Sequence, residues 1–109
     1  MTGHVQHYHE HGYALVQGVF SPEEVADFHA ATDRIKASGM EQGRSSVHGN
    51  VRFWVEEDPN IGTNVRGMQW PSHLEPALEL MRTDPRMLEL LRPLIGENVR
   101  QIINQLHWK

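Results

Sequence analysis

A chain of 109 residues holds one domain with a modest core, and 39 % hydrophobic residues with nine glycines besides is the composition of a folded protein, not a disordered one. Ten basic against fourteen acidic side chains give a formal charge of −4 with neither sign gathered into a block, so neither nucleic acid nor a membrane surface is an expected partner. The absence of cysteine excludes a disulfide framework and a thiolate nucleophile, and no apolar run nears the roughly 18 residues of a membrane span; a soluble, cytoplasmic protein is expected.

The chain opens with four histidines in eight positions, His4, His7, His9 and His11. On a helix His4, His7 and His11 share a face, and His7 with His11 is a spacing that zinc or nickel can bridge. A functional site needs a third ligand and partners that fix the ring tautomers. The expectation is therefore a surface helical turn in which Val5 and Tyr8 pack, the histidines lie outside, and no functional metal is held. Tyr13 to Gln17 reads as a short strand that Gly18 ends. Ser21-Pro22-Glu23-Glu24 is a helix start, with Ser21 as N-cap, Pro22 in the first position and Glu24 reaching back. Phe20 and Val25 would staple it. Val25, Phe28, Ala31 and Ile35, with Thr32 between, form the apolar stripe of a helix expected to end near Gly39.

Residues 38 to 50 are small and polar, as in a mobile surface loop. Val51 to Val55 alternates like a second strand, and 56 to 67 reads as irregular. Ser72 with Glu75 offers a second capping box ahead of Leu74, Leu78 and Met81, with Pro76 tolerated in the first turn. Asp84-Pro85 starts a further helix whose Met87, Leu88, Leu90, Leu91 and Leu94 are expected in the core before Gly96 closes it. Val99 to Lys109 is extended. Gln101, Ile103, Gln105 and His107 would lie on one face, and Arg100, Ile102, Asn104, Leu106 and Trp108 on the other. Polar groups on both faces fit a strand that lines a polar cavity, or an edge strand in need of a neighbour. Trp54, Trp70 and Trp108 suit a pocket wall or a core rim, and Met68 to Trp70 a loop over the leucine helix.

The stretches HYHEHGYALVQGVFSPEEVADFHAATDRI and DPRMLELLRPLIGENVRQIINQLHWK, in that order, resemble the N-terminal part of the phytanoyl-CoA dioxygenase family. The likeness spans nearly the whole chain and is weakest between residues 37 and 70. It implies an α+β fold, the N-terminal helices and first strands of a double-stranded β-helix (jelly-roll), with residues 1–109 a single partial domain and the barrel incomplete. It further implies iron(II) and 2-oxoglutarate as the parent family's cofactors, and a small organic molecule as the substrate it hydroxylates. The family's iron triad, an H-x-D or H-x-E pair plus a distal histidine, belongs to strands after the position of Lys109. The H-x-E formed by His73 and Glu75, with His107 as distal partner, is a poor substitute: at a helix start the two side chains diverge by about 200°, and no arginine follows His107, where the family has one that pairs the 2-oxoglutarate carboxylate.

By the same resemblance, Gln105 and Lys109 would face the barrel interior and touch 2-oxoglutarate or substrate. Arg66, with Asn64 or Gln69 as alternatives, would supply a further contact. No catalytic residue and no metal ligand is expected. Gln105 can donate and accept, and Lys109 brings a charge for an anion; the structural alternatives are a barrel-lining hydrogen-bond network and a solvated terminal lysine. Two functions follow as expectations. One is an oxygenase segment inactive by itself. The other is a non-catalytic binding module that forms a homodimer through the terminal strand.

Overall fold

The structure, a computed structural model, describes residues 3–109. Its longest helix, α2 (Pro22–Gln42), begins as the local signal demands. The Ser21 hydroxyl accepts from the Glu24 amide at 3.1 Å and the Ser21 amide donates to the Glu24 carboxylate at 2.9 Å. The staple differs from expectation: Phe20 meets Phe28 edge-on at 5.1 Å, while Val25 stays 50 % exposed. The helix also runs past Gly39, to a cap at Gly43 in the left-handed region. Gly39 is buried because it lets the helix lie down on the sheet. A Cβ there would stand 2.9 Å from Val65 Cγ2 and 3.1 Å from Phe53 Cδ1.

The stretches expected as loop and irregular chain are instead most of a sheet. Strand β1 (Ser46–His48) turns through Gly49-Asn50 into β2 (Val51–Asp58), with His48 opposite Val51. Gly49 takes a positive φ, and such a two-residue turn follows the twist of the strands it joins. After β2 the Asp58 carboxylate accepts from the amides of Asn60 and Ile61, folding the chain back into β3 (Gly62–Gln69). At the end of the chain β4 (Gln105–His107) pairs with β3, so the sheet is antiparallel in the order β1-β2-β3-β4. The strand expected over 99–109 thus has only three laddered residues, flanked by bonds from the Trp70 amide to the Asn104 carbonyl and from the Trp108 amide to the Arg66 carbonyl.

One face of this sheet lies on α2. Phe53, Val65 and Met68 meet Ala31 and Ile35, and Leu78 of α3 (Pro76–Arg82) completes the buried cluster. Leu106 and Trp108 pack beside it, on the face the alternation predicts. Met68 is therefore a core strand residue, not part of a loop over the leucine helix.

Helix α4 (Pro85–Ile95) starts on its cap, the Asp84 carboxylate accepting from the Arg86 amide at 2.9 Å. Its leucines, expected as core, are only half-buried: the helix lies beside the sheet, and Met87, Leu88 and Leu91 look onto an open hollow of about 360 Å³ shared with Phe20 and Val99. Arg86 ties this helix to α2 by reaching the Glu24 carboxylate, the Asp84 carboxylate and the Val19 carbonyl at once.

Three further expectations give way to tertiary contacts. The second capping box does not form. Glu75 gives its carboxylate to Arg34 of α2, and Ser72 turns inward, in a 3-10 turn over Pro71–His73. Tyr13 to Gln17 forms no strand and has no partner strand among the described residues, and Leu15 is 80 % exposed. The opening turn is helical as expected, α1 (Gly3–His11), yet His4 and His7 are half-buried. His4 Nε2 donates to the Leu90 carbonyl at 2.9 Å, pinning α1 to α4, so the histidines are not all outside.

Candidate functional site

Because side chains alternate across a strand, the residues not packed on α2 stand together on the sheet's open face. Register arranges them in rows. Arg52, Gln69 and Gln105 lie side by side across β2, β3 and β4, and Trp54, Gly67 and His107 form the next row. The ladder slips between Trp54 and Val55, where Gly67 and then Val65 are the partners, so Arg66 is the extra residue of a bulge on β3. A bulge re-aims a side chain. Here it leaves Arg66 exposed, with its Nε 3.1 Å from the Glu56 carboxylate.

The middle row depends on having glycine at its centre. A Cβ on Gly67 would lie 2.8 Å from the Leu106 carbonyl, 3.2 Å from His107 Nδ1 and 3.4 Å from Trp54 Cε3. Without one, β4 closes onto β3 and the rings of Trp54 and His107 lie within 15° of parallel, their centroids 6.3 Å apart. Gln105 Oε1 accepts from His107 Nε2 at 3.0 Å, which steadies the imidazole. The Arg52 guanidinium lies 5.2 Å from the Trp54 ring. Trp54, Glu56, Arg66, Gly67 and His107 together line a shallow hollow of about 260 Å³. Two guanidiniums against one carboxylate, an amide beside an imidazole and a stacked pair of rings are equipped to hold and orient a small anionic or planar molecule.

Of the residues singled out from the sequence, Arg66 and Gln105 come to this one face, and Gln69 joins them in the first row. Asn64 pairs with Glu56 in register. Lys109 lies two residues beyond the last laddered position and is exposed. Sequence reasoning missed Arg52, Glu56 and Gly67. The signal was present in Arg52-x-Trp54-x-Glu56, three non-aliphatic side chains at strand spacing, but nothing local shows which face the core takes.

Among the described residues no three His, Asp or Glu side chains come together as a metal site. The residues present therefore do not fit a two-histidine, one-carboxylate iron centre. His73 stacks on Trp70 at 5.1 Å, Glu75 is engaged by Arg34, and His107 faces Trp54. His7 and His11 form an edge-on ring pair at 4.4 Å, with Tyr13 at 4.9 Å from His7.

No curated protein matches the chain, and no solved structure does. The model of one family, phytanoyl-CoA dioxygenase (PhyH), matches residues 8–109. That match takes in both capped helices, all four strands and the whole of the open face, and the chain belongs to the phytanoyl-CoA dioxygenase family.

Proposed function

We propose that this chain forms the N-terminal helices and first strands of the double-stranded β-helix of an iron(II)- and 2-oxoglutarate-dependent oxygenase acting on a small organic substrate. Its open sheet face is the wall turned toward co-substrate and substrate. The supporting observation is that a chain of this family buries one sheet face under α2 and keeps the other polar and aromatic, with Arg52, Gln69 and Gln105 in one row. Arg66 and Gln105 bind and orient there, and Lys109, exposed two residues beyond β4, adds positive charge for an anion. The family is generally dependent on iron(II) and 2-oxoglutarate, but the described residues do not assemble its ligand set, so the role of this chain's own residues is binding. No helix of the described residues is long and apolar enough to cross a membrane, which is compatible with a proposed cytoplasmic site of action.

The test is the coding sequence that follows Lys109, together with the activity of any longer product it encodes. An H-x-D or H-x-E pair shortly downstream, and iron-dependent succinate release by that product but not by residues 1–109 alone, is the expected result. Arg66→Gln and Gln105→Leu in the longer product should raise the KM for 2-oxoglutarate. Succinate release by residues 1–109 above a metal-free control, lost on His107→Ala, would overturn the reading.

A second reading is favoured by the outer edge of β4, which has no partner strand among the described residues, and by the exposure of Ile102 and Ile103 beside it. In it the fold is a non-catalytic module whose terminal strands pair across a two-fold axis. Sedimentation equilibrium decides this: a dimer that Leu106→Pro dissociates supports it, and a monomer at all concentrations removes it.

A further inference from the structure

We propose that the gap over Gly67 is a slot for a flat, conjugated carboxylate, such as an aromatic or heteroaromatic acid. The inference rests on the reading of the open face as a ligand-facing wall. It adds the shape and charge of the group that this wall takes.

The slot is built from three strands. The position of a Cβ on Gly67 is near van der Waals distance from a ring atom on each side, 3.4 Å to Trp54 and 3.2 Å to His107. Taken with nearly parallel planes and a 6.3 Å centroid separation, this places the two rings on opposite sides of the space above the glycine. A planar ring between two others needs about 7 Å, twice the optimal carbon contact distance. A small outward swing of the exposed His107 ring supplies the difference. A puckered saturated ring is thicker and gains no stacking, so the geometry selects for planarity.

Charge selects for an anion. Arg66 and Glu56 line the same hollow as Trp54, Gly67 and His107. Glu56 engages Nε of Arg66, leaving the terminal guanidinium nitrogens for a ligand carboxylate. Arg52, over Trp54, gives the face a second guanidinium against that single carboxylate. Glycine is required at the floor, since a methyl group would fill the slot and press on the Leu106 carbonyl.

The experiment uses the chain itself, labelled with nitrogen-15, and needs no turnover. Benzoate is compared with cyclohexanecarboxylate, which keeps the charge and loses planarity, and with benzamide, which keeps planarity and loses the charge. Benzoate should shift the Gly67 amide and Trp54 indole signals in a saturable way, and each comparator should bind at least about twofold more weakly, cyclohexanecarboxylate because it loses the stacking contact and benzamide because it loses the charge-assisted hydrogen bond. Trp54→Leu and Arg66→Gln should each weaken benzoate by a similar factor with the rest of the spectrum unchanged. Gly67→Ala is not used alone, because it threatens the pairing of β3 with β4. Equal affinity for benzoate and cyclohexanecarboxylate, shifts centred on the hollow beside α4, no saturable shift, or undiminished binding by Trp54→Leu would overturn the proposal. Its failure with succinate release intact in the longer product removes the slot alone; failure of succinate release with binding intact removes the oxygenase reading alone.

Discussion

Gly39→Ala pits local helix propensity against packing. In a helix interior alanine is favoured over glycine by about 1 kcal/mol, so a reading from propensity expects a more stable protein. The structure reverses that sign. The new methyl would stand 2.9 Å from Val65 Cγ2 and 3.1–3.2 Å from two atoms of the Phe53 ring. Neither neighbour can yield cheaply, since Val65 is fully buried on an inner strand with a stiff β-branched side chain and Phe53 is 5 % exposed. Overpacking of this kind costs roughly 1–3 kcal/mol, which leaves a net loss of about 1 kcal/mol after the propensity gain. With a urea dependence of roughly 1–1.5 kcal/mol per molar, the denaturation midpoint should fall by about 0.7–1 M at unchanged slope. Two controls locate the cause. Ser38→Ala, on the exposed side of the same turn, should leave the midpoint equal or slightly higher, and Val65→Ala should partly relieve Gly39→Ala, so that the double variant loses less than the two single losses together. A midpoint raised by Gly39→Ala would refute the close approach of α2 to β2 and β3.

Ser21→Ala removes the acceptor for the Glu24 amide and should cost about 1 kcal/mol, read as a lower urea midpoint; no change would place the start of α2 elsewhere. Acid unfolding should report the Arg86 clamp. Its hydrogen bonds hold the Glu24 and Asp84 carboxyls at about 2, below their ordinary 4.5 and 3.8, so the stability they contribute is present above those ordinary values and is lost as pH falls toward 2. Arg86→Gln should flatten that acid limb of a melting-temperature profile while changing its shape little above pH 5, and an unaltered limb would count against the clamp. Zinc-saturated and chelator-treated protein should melt at the same temperature, both in the wild type and in His7→Ala with His11→Ala, although the substitutions themselves lower stability because His7 packs against neighbouring rings. A zinc-dependent rise of several degrees that the double variant abolishes would make the opening turn a metal site.

The order of residues alone dictates whatever depends on neighbours along the chain. Ser21-Pro22-Glu23-Glu24 and Asp84-Pro85 start their helices as read, because a cap satisfies backbone amides within one turn and needs nothing distant. The alternation that turns Leu106 and Trp108 inward and Gln105 and His107 outward is equally local. Strand formation is not, since an extended segment becomes a strand only when another presents a matching edge. Tyr13 to Gln17 has the better β-composition and stays unpaired, whereas the polar residues from Glu56 to Gly67 ladder because a turn at Asp58 folds them onto one another. Glu75 shows the same competition in a single side chain: its spacing from Ser72 suits a cap, but Arg34 of a distant helix offers a charged partner. The open face was legible only in pieces, Gln105 and Arg66 among them. Its rows exist because register sets Trp54, Gly67 and His107 side by side from three separate strands, and register is decided by which side of the sheet α2 buries.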